Sequence, residues 1–394
     1  MTFGGDSVYS LYLPMKIPSH KILHTCFSLS WGGLEIHSLA EATKLAARGH
    51  HVWLACCRGS RLEQEAQERG IPIVPLKISG YFHPAQILQL RRLLLEEEIA
   101  LVHSQHSKDL ATVVPAVKLT SRTIPVLLSK RVGSSVMKRD PLHRFTYRYV
   151  SRVLAISDVI RRNVIATTPM APDRVITLHH GVNITDFSLA KADRSRFRRE
   201  LGGSDAGLLI GFVGRFSPGK GLEEFLGAAA ILVKNYPALR FAIVGEASYG
   251  EKDYEQAIRE LCTGLNLDGV VTFTGFRTDV PDVMASFDIF AFPSHAESFG
   301  AVLVEAMALE RPVVSTNCDG VVDIVVDGET GLYVNPGRAD ELARAIARLA
   351  EDRSLRERLG KAGRARVVEL FDQEKQIARV EQIYLEVLKE SADG

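Results

Sequence analysis

Residues 292–316 have the sequence FPSHAESFGAVLVEAMALERPVVST, and this stretch decides the predicted fold. Its order of residue types predicts the end of a strand, a tight turn, a helix and then the next strand. Apolar residues recur at the spacing i, i+3, i+4, i+7 and i+8, which is typical of a helix with one buried face. We expect Ser298 to cap this helix at its start and Pro312 to end it. The apolar positions are Phe299, Val302, Leu303, Ala306 and Met307.

Two carboxylates accompany the helix, Glu297 just before it and Glu305 at the edge of its apolar stripe. A glutamate at such an edge most often forms a salt bridge, and the residues alone leave that interpretation open. Two glutamates beside an open helix N-terminus also suit a ligand that carries both phosphate and hydroxyl groups. The N–H groups of Gly300 and Ala301 would bind the phosphate, and the carboxylates would accept hydrogen bonds from sugar hydroxyls. The pattern therefore indicates a sugar-nucleotide site.

The same residues resemble the motif of a known family. Seven residues separate Glu297 from Glu305, with SFG after the first glutamate and EAMA at the second. This resembles the E-x7-E motif of retaining glycosyltransferases of the GT-B fold, family 4. The resemblance implies that Glu297 contacts the donor sugar and that Glu305 contacts the ribose of the nucleotide. One difference is Glu310, where the family usually has glycine. The donor-binding residues implied beside the two glutamates are Ser298, Phe299, Gly300 and Ala301.

Length and composition place the chain among ordinary globular proteins. Its 394 residues suit two domains of usual size, and the net charge of +1 argues against a nucleic-acid-binding protein. The five cysteines lack the spacing of a metal site, so we expect them to be reduced core residues of a cytoplasmic protein. No apolar run approaches the ~18 residues of a membrane span. Residues 1–20 make a poor signal peptide and are predicted to form an N-terminal arm.

From residue 21 onward, segments typical of strands alternate with segments typical of helices. This alternation predicts an α/β fold with a parallel, doubly wound sheet. Gly32 and Gly33 follow the first predicted strand, where glycine lets the backbone approach a ligand. Any tight turn between a strand and a helix can also contain two glycines. Together with Glu35 they resemble the family's G-G-x-E loop, which implies contact with the donor phosphates and the acceptor.

Two histidines follow a later predicted strand in the sequence LVHSQHSKD. Their spacing resembles the H-x-H-S-S-K stretch of envelope glycosyltransferases and implies an acceptor-side role for His103 and His106. Histidines at strand ends are also often satisfied polar residues. Many family members place a further histidine near the reacting carbon, where this chain has Lys130 and Arg131. A mechanism that depends on that histidine does not apply unless His103 or His106 replaces it. Lys130 and Arg131 would contact the acceptor or the leaving phosphate instead.

Basic residues are concentrated in one part of the chain. Residues 118–162 contain eleven Lys or Arg and two Asp, although the whole chain is balanced. A solvated surface explains such a cluster, and so does attraction to anionic lipid headgroups or to a phosphorylated acceptor. The segment RFTYRYVSRVL mixes aromatic and basic residues, which also suits an interface. We therefore expect peripheral contact with an anionic membrane.

Glycines and basic side chains meet again in GRFSPGKG, residues 214–221. This segment nearly fits the phosphate-binding loop of ATPases, but Gly221 stands where that motif needs a hydroxyl for magnesium, so we exclude an ATPase. The family resemblance implies that Arg215 and Lys220 stabilise the diphosphate of the donor. The chain has no D-x-D motif, so we expect no essential metal and no cofactor besides a UDP- or GDP-sugar as donor substrate. The other residues implied to line the nucleotide are Gly214, Gly245, Phe276 and Arg277.

The predicted architecture is GT-B, with two Rossmann-like, doubly wound parallel-sheet domains that face a central cleft. The predicted parts are the arm (1–20), an acceptor-side domain (21–185), a linker (186–206), a nucleotide-sugar-binding domain (207–371) and a final helix (372–390) that returns to the first domain.

The expected function is retaining transfer of a hexose from a nucleotide diphosphate sugar to a hydroxyl group. The acceptor would be an envelope glycan or a lipid-linked molecule, such as lipopolysaccharide core, at the inner face of the cell membrane. In this mechanism Glu297 fixes the sugar, while Arg215 and Lys220 stabilise the leaving phosphate. Two alternatives remain open. A sugar-nucleotide epimerase of the same fold would need no acceptor, and a non-catalytic binding protein would transfer nothing.

Overall fold

The computed structural model describes residues 18–78, 83–201, 207–248 and 250–393. Most of the predicted arm and residues 202–206 of the predicted linker lie outside this part of the chain. The chain divides into two compact units. One contains the described residues up to 128, together with 149–151 and 379–393, and the other contains 129–148 and the described residues of 152–378. The domain boundaries expected from the sequence stay predictions.

Strands and helices alternate along the described chain, as the apolar pattern predicts. Two short 3₁₀ turns, Pro172–Arg174 and Asp319–Asp323, add to the regular elements. In chain order the elements are β1 (Lys21–Cys26), α1 (Gly33–Ala47), β2 (His51–Cys57), α2 (Arg61–Glu68), β3 (Ile73–Leu76), α3 (Pro84–Glu96), β4 (Leu101–Ser104), α4 (Leu110–Lys118), β5 (Val126–Lys130), α5 (Pro141–Arg148), β6 (Val150–Ala155), α6 (Asp158–Thr167), β7 (Val175–Thr177), α7 (Arg194–Glu200), β8 (Leu209–Val213), α8 (Leu222–Leu232), β9 (Arg240–Val244), α9 (Lys252–Gly264), β10 (Val271–Phe273), α10 (Val280–Ser286), β11 (Ile289–Phe292), α11 (Ala301–Ala308), β12 (Val313–Thr316), β13 (Gly331–Val334), α12 (Ala339–Glu351), α13 (Arg353–Leu370) and α14 (Gln373–Asp393).

The strands form two sheets. The seven-stranded sheet has the order β3-β2-β1-β4-β5-β6-β7, and the six-stranded sheet has the order β10-β9-β8-β11-β12-β13. The strand pairs with a described register are parallel. In each sheet the order grows outward in both directions from one strand, β1 or β8, which confirms the predicted pair of doubly wound, Rossmann-like sheets. Ligands of such sheets bind at the carboxyl ends of the strands, where the order reverses. For the six-stranded sheet this point lies between β8 and β11.

The six-stranded sheet is apolar on both faces. Along β8, Ile210 and Phe212 contribute to one core cluster, while Leu209 and Val213 contribute to the other. Successive residues of a strand point to opposite faces, so this alternation places an apolar layer on each side of the sheet. At Gly211 an added Cβ would lie 2.1 Å from the ring of Phe287, and only glycine permits that close packing.

Helix α11 begins later than the sequence pattern predicts. Its first residue is Ala301, and its N-cap is Gly300, which has a φ angle of +100° and no side chain with which to cap the helix. The prediction that Ser298 caps the helix is therefore wrong. The Ser298 carbonyl instead accepts a 2.6 Å hydrogen bond from the Ser157 hydroxyl. The left-handed backbone at Gly300 favours glycine, because a Cβ is strained there.

The C-terminal helix α14 carries buried polar groups. Glu381 is buried in the first unit, where Arg48 donates two hydrogen bonds to its carboxylate, at 2.9 and 2.8 Å. The Nε2 atom of His50 lies 3.2 Å from the same carboxylate. A buried carboxylate is stable only when it is paired, so these partners hold Glu381 of α14 against residues that flank β2.

Within the described residues, no helix combines the length and the apolar content that a membrane crossing requires.

Candidate functional site

Three glycines bring the carboxyl ends of β8, β9 and β10 together. Gly214 donates a 3.0 Å backbone hydrogen bond to Val244, and Gly245 donates one of 2.9 Å to Gly275. An added Cβ at Gly245, where φ is +133°, would lie 2.0 Å from the Gly214 carbonyl oxygen. The backbones of these loops are therefore in direct contact, as only glycine allows. Gly214 and Gly245, both predicted from the sequence, lie side by side.

The loop after β8 also contacts the loop after β11. The Gly219 carbonyl accepts a 2.8 Å hydrogen bond from the His295 backbone N–H. An added Cβ at Gly221 would lie 2.1 Å from the Pro293 carbonyl oxygen, so these two loops also pack backbone against backbone. The two segments that carry the predicted functional residues therefore meet at the point where the strand order reverses.

Lys220 and Glu297 form an ion pair across these two loops. The Ser294 hydroxyl donates a further hydrogen bond of 3.2 Å to the same oxygen of Glu297. Both members of the pair remain partly exposed, with 26% and 14% of the side-chain surface accessible. An ammonium group has three donor hydrogens, so Lys220 can hold the carboxylate and still bind a phosphate oxygen.

Arg215 lies in the same loop but has a different partner. Its Nε lies 3.6 Å from the Glu251 carboxylate, and more than half of its side chain is exposed. The structure thus brings Lys220 and Glu297 together and pairs Arg215 with Glu251. An exposed guanidinium with one distant partner can reach an anionic ligand at low cost.

Glu305 is a carboxylate of a different kind. Among the described residues no side chain forms an ion pair or hydrogen bond with it. Burial raises its pKa to about 7. A carboxylate held in a low-dielectric environment without a partner suits a ligand that supplies hydroxyl donors. The expected contact of Glu305 with a ribose stays a prediction.

Other loops pack against the segment that contains Ser298, Phe299, Gly300 and Ala301. An added Cβ at Gly320 would lie 2.3 Å from the Ser298 carbonyl oxygen, so these two loops touch. Phe299 is buried, and the ring of His179 stacks on it with centroids 5.7 Å apart. The Nε2 of His179 lies 3.2 Å from Asp323, whose carboxylate also accepts a 2.7 Å hydrogen bond from the Asp158 backbone. These hydrogen bonds outweigh burial and lower the pKa of Asp323.

Sequence reasoning missed Ser157 and His179 as supports of this segment. Ser157 stands at the N-cap of α6, a position that normally serves only its own helix. Its donation to Ser298, 141 residues away, has no signal in the local pattern.

Phe276 and Arg277 have opposite environments. Phe276 is 66% exposed, which leaves its ring open to stack on a planar ligand. Arg277 donates hydrogen bonds to Asp279 and Glu200, at 2.8 and 2.7 Å, and these raise its pKa. Its guanidinium also lies over the ring of Phe197. Arg277 therefore joins α7 to the loop before α10, and Phe276 is the exposed member of this pair.

In the first unit, Gly32 and Gly33 stand at the start of α1. The Gly32 backbone N–H donates a 2.9 Å hydrogen bond to the carboxylate of Glu35, which turns back on its own helix. Glu35 is buried and acts here as a helix cap.

The structure places His103 in the interior rather than at a surface. Its Nδ1 lies 2.7 Å from the Tyr384 hydroxyl of α14 and 3.1 Å from the Glu41 carboxylate. His24 Nε2 lies 3.2 Å from the same hydroxyl, and Gln105 donates a 3.1 Å hydrogen bond to Glu41. The ligand atoms of His24, Glu41 and His103 lie within 4.8 Å of one another. His103 contacts both Glu41 and Tyr384, and His24 contacts Tyr384, so the cluster is a polar network that includes a residue of α14.

His106 lies at the carboxyl end of β4, with its Nδ1 3.8 Å from Asp109. Asp109 accepts a 3.0 Å hydrogen bond from Thr25, and burial raises its pKa to about 7. Sequence reasoning missed Asp109, although its place just before α4 is the N-cap position where aspartate is common.

Lys130 ends β5, and Arg131 follows it. Burial, together with the charge of Lys138, lowers the pKa of Lys130 to about 8. A fraction of Lys130 is therefore neutral near pH 8, so the amine can either accept a proton or carry a charge.

Two parallel, doubly wound sheets are the architecture of the GT-B fold, and the glycine loops that carry Lys220 and Glu297 lie at the edge of the second sheet. Residues 193–366 match the family model of Glycosyl transferases group 1, and residues 31–186 match that of Glycosyltransferase Family 4. The chain belongs to this glycosyltransferase family.

Among the relatives is the capsular polysaccharide biosynthesis glycosyltransferase CapM of Staphylococcus aureus. It is 32% identical over 61% of this chain and 62% of CapM. A D-inositol 3-phosphate glycosyltransferase of Kribbella flavida is 32% identical over 54% of this chain and 51% of the relative. The chain thus matches less than two thirds of the length of either relative.

Solved structures show the same fold. A glycosyltransferase of Rickettsia africae superimposes with a TM-score of 0.86 at 20% identity, covering 94% of this chain and 99% of that one. Anabaena Alr3699/HepE in complex with UDP gives a TM-score of 0.82 at 24% identity, covering 93% of this chain and 100% of that one.

Proposed function

We propose that this chain transfers a hexose from a nucleotide diphosphate sugar to a hydroxyl group, with retention of configuration at the anomeric carbon. The observation that carries the proposal is the Lys220–Glu297 pair at the reversal point of the six-stranded sheet. A cation and a carboxylate at this position suit the phosphate and the sugar of one donor molecule. Membership in the glycosyltransferase family supports the same conclusion.

The proposed reaction needs no covalent intermediate on the protein. The acceptor hydroxyl oxygen bonds to the anomeric carbon on the face from which the diphosphate leaves. As the bond between that carbon and the phosphate oxygen breaks, the departing phosphate oxygen takes the proton of the acceptor hydroxyl. Lys220 and Arg215 stabilise the negative charge that develops on the diphosphate, and Glu297 orients the sugar.

The contacts of the free protein suggest how the donor is received. Lys220 keeps Glu297 as its partner and binds a phosphate oxygen with a remaining N–H. Arg215 leaves or shares Glu251, which lies 3.6 Å away and holds it weakly. Glu305 accepts hydrogen bonds from the ribose, which supplies donors to a carboxylate that is partly exposed and has no partner among the described side chains. Phe276 stacks on the base.

We propose a UDP- or GDP-sugar as the donor, and UDP-glucose is the first to test because Alr3699/HepE was crystallised with UDP and with UDP-glucose. The acceptor in this proposal is an envelope glycan or a lipid-linked molecule, such as lipopolysaccharide core, which the chain meets at the cytoplasmic face of the membrane. The concentration of basic residues between 118 and 162 supports an anionic acceptor surface, and the name of CapM supports an envelope polysaccharide. Lys130, Arg131 and His106 are the proposed acceptor-side contacts.

Calorimetry with a panel of UDP-, GDP- and ADP-sugars tests the donor site. We expect selective binding that is lost in Arg215→Ala plus Lys220→Ala. The matched control is Lys234→Ala plus Arg348→Ala, which removes an exposed lysine and an exposed arginine elsewhere in the same unit. Equal loss in both double variants would show that the effect is one of net charge and would contradict the donor site.

Release of free nucleotide distinguishes transfer from the alternatives. A transferase releases nucleotide at an appreciable rate only when an acceptor is added. An epimerase interconverts the bound sugar without any acceptor, and a binding protein releases nothing under either condition. Either of the last two results would overturn the proposed transfer while leaving the donor site in place.

A further inference from the structure

Exposed apolar side chains concentrate in one short part of the second unit, residues 131–148, which we call the docking segment. It contains five of the thirteen exposed large apolar side chains of the described residues. Four of the five are more than half exposed. A cluster of this kind is unusual on a protein surface that faces only water, and it marks an interaction site. The five side chains are Val132, Val136, Met137, Leu142 and Phe145.

The exposure follows from how the segment is anchored. Ser134 and Asn163 of α6 exchange two hydrogen bonds, at 2.8 and 3.0 Å. Lys138 donates a 2.7 Å backbone bond to Thr167, and the Arg139 guanidinium donates a 3.1 Å bond to the Ala166 carbonyl. These polar groups bind the segment to the end of α6, while Val136 and Met137, between them in sequence, remain exposed to solvent.

Helix α5 extends the same surface. Thr146 and Tyr147 are buried, so this side of the helix faces the protein. Leu142 and Phe145 are three residues apart and therefore share a face, and both are exposed. The helix thus presents exposed apolar side chains directly after those of the preceding loop in the sequence.

The charged side chains of the docking segment are mostly basic. The docking segment contains five Lys or Arg and a single acidic residue, Asp140, which pairs with His143. Arg139, Arg144 and Arg148 are exposed. Apolar side chains bordered by arginines match the two layers of an anionic bilayer, acyl chains below phosphate headgroups. A nucleic acid would leave the aliphatic side chains without a contact.

We propose that the docking segment inserts Val136, Met137 and Leu142 into the headgroup region of an anionic bilayer, with Arg144 and Arg148 on the lipid phosphates. The proposal deepens the proposed function, since a lipid-linked acceptor would then be met at the surface to which the segment binds. It differs from attraction by net charge alone, because apolar insertion holds the protein when salt screens the charges.

The test is co-sedimentation with vesicles of phosphatidylglycerol and phosphatidylethanolamine, with pure phosphatidylcholine vesicles for comparison. We expect binding to the anionic vesicles, reduced by at least ~10-fold in Val136→Ser plus Met137→Ser plus Leu142→Ser. The matched control is Leu88→Ser plus Leu119→Ser plus Ile231→Ser, which changes three exposed apolar residues outside the segment and should leave binding intact. All six side chains are exposed, so neither variant should change the melting temperature.

A direct readout of insertion uses an environment-sensitive fluorophore on Met137→Cys, with Leu88→Cys as the control position. The native cysteines are buried, which favours labelling at the new site. We expect a blue shift on anionic vesicles at position 137 alone. Equal spectra at the two positions, or binding that is abolished entirely by salt, would overturn insertion. Self-association in solution that disappears in the triple serine variant would show that a second copy covers the surface, and would also overturn the proposal.

Vesicle binding is measured without donor or acceptor, so its outcome is independent of transfer. Loss of vesicle binding in the triple serine variant, with unchanged calorimetric binding of the nucleotide sugar, supports the docking segment. A wild-type protein that binds the nucleotide sugar and ignores vesicles would refute the docking segment and leave the proposed function standing.

Discussion

Lys220 and Glu297 form an ion pair that joins the loop after β8 to the loop after β11. Neither side chain is fully buried, so solvent partly screens the pair. Pairs of this type contribute ~0–1 kcal/mol to the free energy of unfolding. In the proposed reaction the effect of the pair on a bound diphosphate is larger, because the amine would already be held where negative charge develops. Breaking the pair should therefore lower turnover strongly and lower the free energy of unfolding only slightly.

Lys220→Met should lower turnover by about 10²–10³-fold, since in the proposed reaction it removes a charged donor from the leaving phosphate. The melting temperature should fall by no more than about 2–4 °C, as expected for loss of a surface pair. Nucleotide release and scanning calorimetry measure the two effects. Lys234→Met, at an exposed lysine of the same unit, is the control and should match wild type in both. A similar loss of turnover in the control would contradict the assignment.

Donor affinity should depend on pH through Glu305. Burial raises its pKa to about 7, so the carboxyl loses its charge as the pH falls through neutrality. Ribose hydroxyls donate more strongly to the ionised form, and affinity should therefore rise with pH and level off above about pH 8. On the acid side the slope should approach about tenfold per pH unit.

The measurement for Glu305 is calorimetry with a nucleotide sugar, because a free terminal phosphate would itself titrate near pH ~6. Glu305→Gln should bind more weakly at high pH and lose the dependence. A pH profile that is the same in Glu305→Gln and wild type would show that another group titrates.

Gly245→Ala should destabilise the second unit by about 2–4 kcal/mol. The added methyl meets the Gly214 carbonyl at 2.0 Å, and φ is +133°. Gly269→Ala is the matched control, with φ of +78° and no atom within 4 Å of the new Cβ. It isolates the backbone strain, for which we expect about 1 kcal/mol. Denaturant unfolding measures both, and equal effects would refute the close approach of the two loops.

Tyr384→Phe should lower the free energy of unfolding by about 1–3 kcal/mol. The change removes the hydroxyl that lies 2.7 Å from His103 and 3.2 Å from His24, and leaves buried ring nitrogens without that partner. Turnover per folded molecule should stay unchanged, because the cluster is interior. Tyr236→Phe, on a hydroxyl bonded at the surface to Glu351, is the control and should change stability little. A change in acceptor KM in Tyr384→Phe would instead assign the cluster to the acceptor.

The local pattern around α11 was sufficient for most of that element. The helical spacing correctly predicted Leu303, Ala306 and Met307 as buried residues. The helix start was predicted incorrectly, because a serine before an apolar run is a common cap. Here the backbone is left-handed at Gly300, which is the N-cap residue. The Ser298 carbonyl accepts a hydrogen bond from the Ser157 hydroxyl.

Local sequence patterns were sufficient to predict the alternation of strands and helices, the glycine loop at residues 214–221 and the spacing of Glu297 and Glu305. These are local properties, since each depends on residues within one or two turns of a helix or one strand and its loop. The pairing of Lys220 with Glu297, 77 residues away, depends instead on how the chain packs in three dimensions. The same packing places His103 against Tyr384, 281 residues further along. Such contacts depend on how sheets and helices pack. The local pattern carries no information about the distance between side chains that are far apart in the sequence.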